Sequence, residues 1–412
     1  MAGDRVRRTA ESRQPFPGGV GTMGVTPRQH PSGRVGAMSE HSTQRKPRVA
    51  VVFGGRSSEH AVSCVTAGSV LSAIDRSKYE VIPIGITQDG RWVLEEDRPE
   101  RLAITDGRLP SVEPSNQLVA LSNDPTVREL IVQEPGAVPK TLGEVDVVFP
   151  LLHGPYGEDG TIQGLLELAG VPYVGSGVLA SALCMDKEYM KRVFASHGLP
   201  VVPWVAVRPR EWERDADAVL RRVQEELEPP VFVKPSRLGS SIGISKVSSW
   251  EELRAAIEAA REHDPKVLVE QGITPVREIE CGVLEAEDGT PEASVPAEIR
   301  VRGDHQFYDF QAKYLDDSTD LDVPADLDEA TTREVRRLAV AAFEAMSCEG
   351  LARVDFFLAP DGTLLVNEIN TMPGFTPYSM YPLMWQASGV DYPTLVDRLI
   401  QAALRRRNSL LR

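Results

Sequence analysis

Two acidic residues occupy an unusual position in the stretch RVDFFLAPDGTLLVNEINTMPG, which spans residues 353–374. The dipeptide Asp361-Gly362 between two apolar runs predicts a β-hairpin with a two-residue turn, in which both central residues need a positive φ. Counting outward from that turn places Asp355 directly opposite Glu368. Like charges at facing positions destabilise a hairpin, so another group must offset this repulsion.

A divalent metal ion is one group that could offset the repulsion. Because side chains alternate along a strand, Arg353 and Asn370 project from the same face as the two acids. Mg²⁺ takes oxygen ligands from carboxylates and amides, and it usually keeps phosphate oxygens as well. The alternative is a solvent-facing strand whose acids align by chance, with Arg353 compensating part of the charge. This stretch alone favours neither interpretation.

The elements that would position this hairpin follow from the apolar pattern of the chain. RVAVVFGG (48–55) is a short β-branched run, a helical pattern follows it, and YEVIPIGIT is a second strand. Such a βαβ pattern implies a parallel sheet. The polar, Pro-rich segment 95–143 predicts an insertion with short strands. The pattern then resumes, with strands at VDVVFPLLHG and VPYVG and a helix at GTIQGLLELAG.

Two further units follow along the chain. The stretch VLASALCMDKEYMKRVFASHG predicts one long helix that ends before Gly198. Two strands then flank a loop of small residues in PPVFVKPSRLGSSIGISKV, and Ser249 with Glu252 forms the capping-box signature of another helix. After the strand KVLVEQGI, the third unit carries the strand REIECGVLE, a helix near 328–348 and the hairpin.

These elements predict an α/β protein of about three domains, as the chain length also suggests. Residues 1–46 are rich in Gly, Pro, Ser, Gln and Arg and nearly free of large apolar residues, which predicts a disordered tail. Met38 within this tail is a candidate start codon. The three domains are expected to span 47–178, 179–271 and 272–412.

Composition argues against several classes of function. The formal net charge of −15 argues against a nucleic-acid-binding face or a membrane-surface patch. No run approaches the roughly 18 apolar residues of a membrane helix, and no apolar segment follows RVRR to make a signal. The scattered cysteines fit a reducing, cytoplasmic compartment better than a disulfide framework. They are Cys64, Cys184, Cys281 and Cys348.

Several loops carry residues that could do chemistry, and each has a plainer alternative. In KPSRLGSSIGISK, Lys234 and the small residues could hold phosphates, although a polar hairpin turn is the preferred interpretation of this loop alone. LLHGPYGEDG follows a strand, where open α/β sheets bind ligands, and His153 there is either a substrate contact or a satisfied loop histidine. In GGRSSEH, Glu59 and His60 could hold a charged substrate, but capping the next helix is the more common role for Glu59.

Taken in order, these motifs resemble the D-alanine–D-alanine ligase family. The resemblance runs from about Arg48 to the C-terminus through GGRSSEH, HGPYGEDG, MDK, KPSRLGSSIGISK, AKYL, RVD and NEINTMPGFTPYS. HGPYGEDG and NEINTMPGFTPYS together are its most specific part. The resemblance implies the ATP-grasp (α+β) architecture, an N-terminal parallel-sheet domain plus a two-part ATP-grasp unit that holds ATP between the central and C-terminal domains.

The resemblance also implies binding roles for the motif residues. The metal ligands would be Asp355, Glu368 and Asn370, holding two Mg²⁺ (or Mn²⁺) ions that bridge ATP phosphates. The facing acids of the hairpin would then be tolerated because they hold metal. The implied ATP contacts are Lys187 and Lys234 at the phosphates, Ser240 to Gly243 (including Ser241) as a lid over the γ-phosphate, and Glu270 and Glu278 at the adenine and ribose.

The remaining implied roles concern the two amino acid substrates. Glu59, Ser240 and Tyr314 match a hydrogen-bonded triad that links the first domain to the closing loops, and Glu59 would also position the first ammonium group. Arg353 and the backbone N–H of Gly374 resemble an oxyanion hole. The substrate contacts are His153 for the first D-alanine, Lys313 and Ser379 for the second carboxylate, and Met380, where the family often has Leu.

The implied reaction joins two D-alanines through an acyl phosphate, for peptidoglycan precursor synthesis, in a homodimer. The nearest alternative is a ligase that accepts a D-hydroxy acid such as D-lactate, although Tyr314 in AKYL resembles the dipeptide-forming members. A nucleotide-binding regulator with a dead site is disfavoured because the motif residues are intact. A purely structural metal-binding protein is also disfavoured, because nothing in the sequence builds a closed metal cage.

Overall fold

The computed structural model describes residues 45–105, 107–122, 124–239, 241–301 and 319–406. Three sheets organise these residues. No helix in these ranges is long and apolar enough to cross a membrane. The four cysteines are buried thiols.

The first sheet has seven strands in the order β6-β5-β4-β3-β2-β1-β7. Strand β1 pairs in parallel with β2 and with β7, and helix α1 (His60–Ala73) connects β1 to β2, which confirms the predicted βαβ unit. The run 49–53 is buried throughout, as expected for a parallel strand covered on both faces. The strands are β1 (Arg48–Gly54), β2 (Glu80–Ile86), β3 (Trp92–Leu94), β4 (Leu118–Leu121), β5 (Glu129–Gln133), β6 (Lys140–Glu144) and β7 (Val147–Pro150).

The insertion 95–143 extends this sheet, and its short strands are confirmed. Strands β4, β5 and β6 continue the sheet as antiparallel neighbours beyond β3. The strand predicted at VPYVG is wrong, because only a single bridge forms, between Val148 and Tyr173. Pro172 has no N–H to donate, which limits the ladder at this edge.

The long helix predicted from residue 178 is in fact two helices. They are α3 (Val178–Met185) and α4 (Lys187–Ser196). Helix α2 (Thr161–Leu168) precedes both. Asp186 breaks the run with extended backbone angles, and its side chain accepts hydrogen bonds from the first N–H groups of α4. Aspartate prefers this capping position to a helix interior. Gly198 has a positive φ just beyond α4, as predicted.

The second sheet has four strands in the order β10-β9-β11-β8. Its members are β8 (Trp204–Val207), β9 (Val231–Pro235), β10 (Ser245–Val247) and β11 (Val267–Gln271). Helices α5 (Pro209–Glu226) and α6 (Leu253–Arg261) accompany it. The predicted capping box of Ser249 and Glu252 is confirmed on the short 3₁₀ turn that leads into α6.

The third sheet has six antiparallel strands. These are β12 (Arg277–Glu285), β13 (Pro291–Ala293), β14 (Ala297–Val301), β15 (Thr319–Asp322), β16 (Leu351–Leu358) and β17 (Leu364–Asn370). Helices α7 (Glu329–Ala345), α8 (Met380–Ala387) and α9 (Tyr392–Arg405) complete this region. Phe375, after β17, packs edge-on against Phe149 of β7 and so joins the third sheet to the first.

The hairpin predicted within residues 353–374 is formed by β16 and β17, and its facing pairs are those counted from the sequence. Asp355 pairs with Glu368, and Arg353 pairs with Asn370. The predicted two-residue turn, however, is wrong. The first pair is Leu358 with Leu364, and an irregularity next to Asp355 shifts the register by one residue and restores the expected alignment.

The physical reason lies in the turn residues. Pro360 has no N–H and cannot pair with Thr363 as the shorter turn would require. Of the two central residues, only Gly362 has a positive φ, at +85°. The Asp361 side chain instead accepts a hydrogen bond from the N–H of Thr363, which closes a longer loop.

Candidate active site

Two adjoining cavities lie beside the β16–β17 hairpin and collect most of the predicted site residues. The first, of about 110 Å³, lies against the carboxyl ends of β1 and β7. The second, of about 370 Å³, lies between the second and third sheets. The first is lined by Glu59, His153, Lys187, Arg353, Glu368, Asn370 and Gly374, and the second by Lys187, Lys234, Ser241, Glu270, Glu278, Arg353, Asp355 and Glu368.

Arg353 and Lys187 line both cavities and hold the hairpin acids in place. Arg353 donates two hydrogen bonds to Asp355, each of 2.7 Å, and lies 3.1 Å from Glu280 on β12. Lys187, the first residue of α4, lies 3.0 Å from Glu368. The Lys187 ammonium outweighs burial and lowers the pKa of Glu368 to about 2. Glu368 is therefore ionised at neutral pH.

The hairpin oxygens suit a hard divalent cation. Asn370 donates from Nδ2 to Asp355 at 3.0 Å, which leaves its Oδ1 as a further acceptor. Carboxylate and amide oxygens are ligands of Mg²⁺, which completes its shell with water and phosphate oxygens. Among the described residues, no cluster of three or more His, Cys, Asp or Glu side chains could hold a metal alone.

Two lysines flank a buried glutamate, Glu270, on the wall of the larger cavity. Lys234 on β9 donates to Glu270 on β11 at 2.6 Å, and Lys191 on α4 lies 3.2 Å from the other carboxylate oxygen. Burial would raise the pKa of Glu270, but the two ammonium groups outweigh it and hold this pKa at about 2. Glu270 is therefore a buried anion between two lysines.

The loop after β1 and the loop after β7 meet in the smaller cavity. Glu59 stands immediately before α1, but its side chain makes no capping hydrogen bond with that helix. His153 is buried, and its Nε2 has no hydrogen-bond partner among the described residues. Burial lowers the pKa of His153, against the opposing effect of Glu59. A neutral imidazole with an open nitrogen is suited to contact a ligand.

Two family models match this chain, one for each part of the same enzyme family. The model described as D-ala D-ala ligase N-terminus matches residues 48–176, and the model described as D-ala D-ala ligase C-terminus matches residues 193–401. The chain belongs to the D-alanine–D-alanine ligase family. This is a family of ATP-dependent ligases that need a divalent metal, so the predicted family and enzyme class are confirmed.

Individual relatives agree with this family membership. A D-alanine–D-alanine ligase of Streptomyces griseus is 65% identical over 91% of this chain and 97% of its own, and one of a Mycobacterium species is 59% identical over 89% and 98%. The solved VanG D-Ala:D-Ser ligase of Enterococcus faecalis superposes with a TM-score of 0.75 at 36% identity, covering 87% of this chain and all of that one. The Coxiella burnetii D-alanine–D-alanine ligase gives 0.73 at 36%, covering 87% and 94%. The predicted ATP-grasp α/β fold is confirmed.

Some residues assigned through the family resemblance do not line the two cavities, and others lie outside the residues that the structure describes. Ser379 precedes α8 and contacts Thr376, at 2.8 Å between hydroxyl oxygens. Met380 is buried and packs in a small apolar cluster with Ile299 and Met384. The remaining three, Ser240, Lys313 and Tyr314, lie outside the described residues.

His60 serves a structural purpose in this member of the family rather than the substrate contact considered from the sequence. It is buried, and its Nδ1 donates to the carbonyl of Gly55 at 2.7 Å. Its Nε2 accepts from the N–H of Val112 at 3.1 Å. The ring thus ties the loop after β1 to the insertion 95–143, with no nitrogen left for a substrate.

Sequence reasoning missed three charged residues in or beside the two cavities: Lys191, Glu158 and Glu280. Lys191 lies one helical turn after Lys187, a spacing that predicts a shared face. Glu158 accepts a hydrogen bond from the N–H of Gly154 at 2.5 Å, and burial with repulsion from Glu59 raises its pKa to about 8. Glu280 had no local signal, because only the pairing of β12 with β16 brings it to Arg353.

Proposed function

We propose that this chain joins two D-alanines to D-alanyl-D-alanine with ATP, and that the two cavities divide the work. The larger cavity would hold ATP and the smaller one the first D-alanine. The main support for this assignment is that the β16–β17 hairpin lines both cavities. Arg353, Glu368 and Lys187 line both cavities, so a phosphate in one lies beside an acceptor in the other.

The hairpin residues Asp355, Glu368 and Asn370 would hold two Mg²⁺ ions, with Mn²⁺ as the substitute. When bound, the ions would neutralise charge on the ATP phosphates. Lys187 and Lys234 would add point charges at the same phosphates. Glu270 and Glu278 are proposed at the adenine and ribose, supported by their position on the wall of the larger cavity.

The first step forms an acyl phosphate. The carboxylate of the first D-alanine attacks the γ-phosphorus, the bond to the bridging oxygen breaks, and ADP leaves. Glu59 would position the ammonium of this D-alanine, supported by its place in the smaller cavity beside His153. Positioning and charge stabilisation suffice for this step, so no covalent contribution from the protein is needed.

The second step forms the peptide bond. The amine of the second D-alanine attacks the acyl carbon and loses a proton, and inorganic phosphate leaves. The Arg353 guanidinium and the N–H of Gly374 would stabilise the negative charge on the carbonyl oxygen. Lys313 and Ser379 are proposed at the second carboxylate, with Met380 nearby.

Closure of the loops is proposed to protect the acyl phosphate from water. Ser240, Tyr314 and Glu59 would form the triad that fastens the closed loops. Ser241 already holds a φ of +57°, a conformation that is uncommon for a residue with a side chain and is found where the backbone must turn sharply. This conformation supports a lid at Ser241.

We also propose the three-domain division at 47–178, 179–271 and 272–412, which the three separate sheets support, and a cytoplasmic homodimer. The exposed leucines of α2 and of the start of α3, called the apolar patch below, support the dimer. Leu168 is 78% exposed and Leu179 is 62% exposed. The two helices touch where Gly160, before α2, meets the carbonyl of Val178. A second copy of the chain would cover these side chains.

The direct test measures phosphate release with Mg²⁺ and ATP, with D-alanine, L-alanine, or D-alanine plus D-lactate, and records product masses. Release that depends on D-alanine, with a dipeptide product, is expected. An ester product at neutral pH would favour the D-hydroxy acid alternative. No release from folded protein that binds ATP would contradict the proposal.

A further inference from the structure

Lys191 is a fully buried lysine that none of the assigned roles uses. It lies on α4, one turn after Lys187, and its relative exposure is 0%. Lysines are almost never fully buried unless they are paired. Its only ion-pair partner among the described residues is Glu270, at 3.2 Å. This contact falls short of hydrogen-bond geometry, so the ammonium is not fully satisfied.

Glu270 is shared between two cations on different elements. Its other oxygen accepts from Lys234 at 2.6 Å, and Lys234 reaches it from the neighbouring strand β9. Glu270 is 2% exposed. Lys234 makes the shorter contact, and Lys191 lies at the second carboxylate oxygen.

This arrangement matters because Lys234 is proposed to hold ATP phosphates. A phosphate that accepts from the Lys234 ammonium would compete with Glu270 for the same positive charge. A buried carboxylate left without a cation is strongly destabilising. Glu270 would therefore hold Lys234 back unless a second cation can take its place. Lys191 is the one ammonium in the described cluster that contacts Glu270 and lines neither cavity.

We propose that Lys191 is a positioning residue, a stand-by counter-ion of Glu270 that allows Lys234 to turn from the carboxylate to the phosphates of ATP. The inference rests on the proposed placement of ATP in the larger cavity. A plain structural ion pair is the competing explanation, and it differs in one measurable respect. A structural role affects all ligands of the cavity alike, whereas the counter-ion role affects only ligands that carry phosphate.

The test compares the dissociation constants of ATP and adenosine, measured by calorimetry with Mg²⁺, for the wild type and Lys191→Met. Methionine keeps the apolar stem without the charge. The ATP affinity should fall at least about tenfold, and the adenosine affinity by much less. An equal loss for both ligands, or no loss for ATP, would overturn the inference. If Lys191→Met fails to fold, Lys191→Gln, which keeps a donor for Glu270, is measured with the same two expectations.

A double variant tests whether Lys191 acts through Glu270. A neutral glutamine at position 270 does not need a counter-ion, so Lys191→Met added to Glu270→Gln should leave the ratio of ATP to adenosine affinity within about twofold of Glu270→Gln alone. A further large fall in that ratio would overturn the inference. Lys78→Met, which removes a lysine paired at 3.0 Å with Asp397 outside both cavities, is the control for the lost charge. It should leave the ratio unchanged.

Lys234→Met separates this inference from the proposed function. It should lower the ATP affinity selectively, as Lys191→Met does. If Lys234→Met has this effect and Lys191→Met does not, only the role of Lys191 fails. If Lys234→Met leaves the ATP-to-adenosine ratio unchanged, the proposed ATP placement fails, and the inference about Lys191 is overturned with it.

Discussion

Arg353 donates two hydrogen bonds of 2.7 Å each to Asp355, which lies two residues along the same strand. The same guanidinium lies 3.1 Å from Glu280 on the neighbouring strand. Only a planar fork can satisfy one carboxylate with two bonds while facing a second. Arg353 therefore offsets the charge of the hairpin acids and at the same time fixes the direction in which Asp355 points.

Replacing this fork by a point charge should impair turnover more than folding. Arg353→Lys keeps the positive charge but loses the two-bond geometry and the donor proposed for the carbonyl oxygen. We expect kcat to fall about a hundredfold or more, with a small change in melting temperature. Arg398→Lys is the control, because Arg398 pairs with Glu292 at 2.8 Å on the same domain. Equal kcat values for the two variants would contradict the role of Arg353.

Glu59 is expected to act on the first amino acid and not on the nucleotide. Glu59→Gln removes the charge proposed to face the ammonium, and loss of such a partner weakens binding by about 1.5–3 kcal/mol. The KM for the first D-alanine should therefore rise at least tenfold, since about 1.4 kcal/mol corresponds to a factor of ten, while the KM for ATP stays near its wild-type value. Glu80→Gln, at a surface pair with Arg48, serves as the control. A rise in the KM for ATP alone would remove this assignment.

The Glu158 carboxyl should make stability depend on pH. Its pKa is about 8 in the folded chain, because of burial and repulsion from Glu59, against an ordinary value of 4.5. Between these values the folded state binds more protons than the unfolded state, so stability falls as the pH rises from 4.5 to 8. Glu158→Gln cannot ionise and should lose this dependence.

Chemical denaturation at several pH values between 4.5 and 8 measures the effect. The free energy of unfolding of the wild type should fall by about 4 kcal/mol more than that of Glu158→Gln across this window. Parallel curves for the two proteins would show that Glu158 titrates normally in the folded chain.

The apolar patch on α2 and α3 should decide the oligomeric state. Placing charges at its two most exposed positions, Leu168→Glu with Leu179→Glu, should convert a dimer to a monomer, because burying an unpaired charge is costly. Light scattering after gel filtration measures the mass. Val138→Glu is the control, since Val138 is also highly exposed, at 83%, but lies on the insertion. A dimer that survives the double substitution must use another surface.

The sequence predicted the facing pairs of the hairpin but not its turn. Asp355 and Glu368 were aligned correctly only because a strand irregularity offset an error in the predicted turn. The turn itself was mispredicted, since Pro360 and the Asp361 side chain closed a longer loop. The strand irregularity next to Asp355 then compensated the error. Pro360 was a local signal against the shorter turn, whereas the irregularity next to Asp355 had no such signal.

Longer-range contacts were beyond sequence reasoning. Lys187 was assigned through the MDK motif, but its contact with Glu368 depends on the docking of α4 against the hairpin. The break at Asp186 was the missed clue, because a capping aspartate makes Lys187 the first residue of a helix. Glu280 reaches Arg353 only through the pairing of β12 with β16, which no single-sequence pattern specifies.

The most direct test of the account is the Mg²⁺ dependence of D-alanyl-D-alanine formation by Asp355→Asn and Glu368→Gln. Both should keep the fold and lose turnover about a hundredfold or more at saturating Mg²⁺. Asp361→Asn, which removes an acid from the loop of the same hairpin, should remain active. Near-normal turnover of either site variant at the wild-type Mg²⁺ requirement would contradict the claim that the facing acids hold the metal ions of ATP.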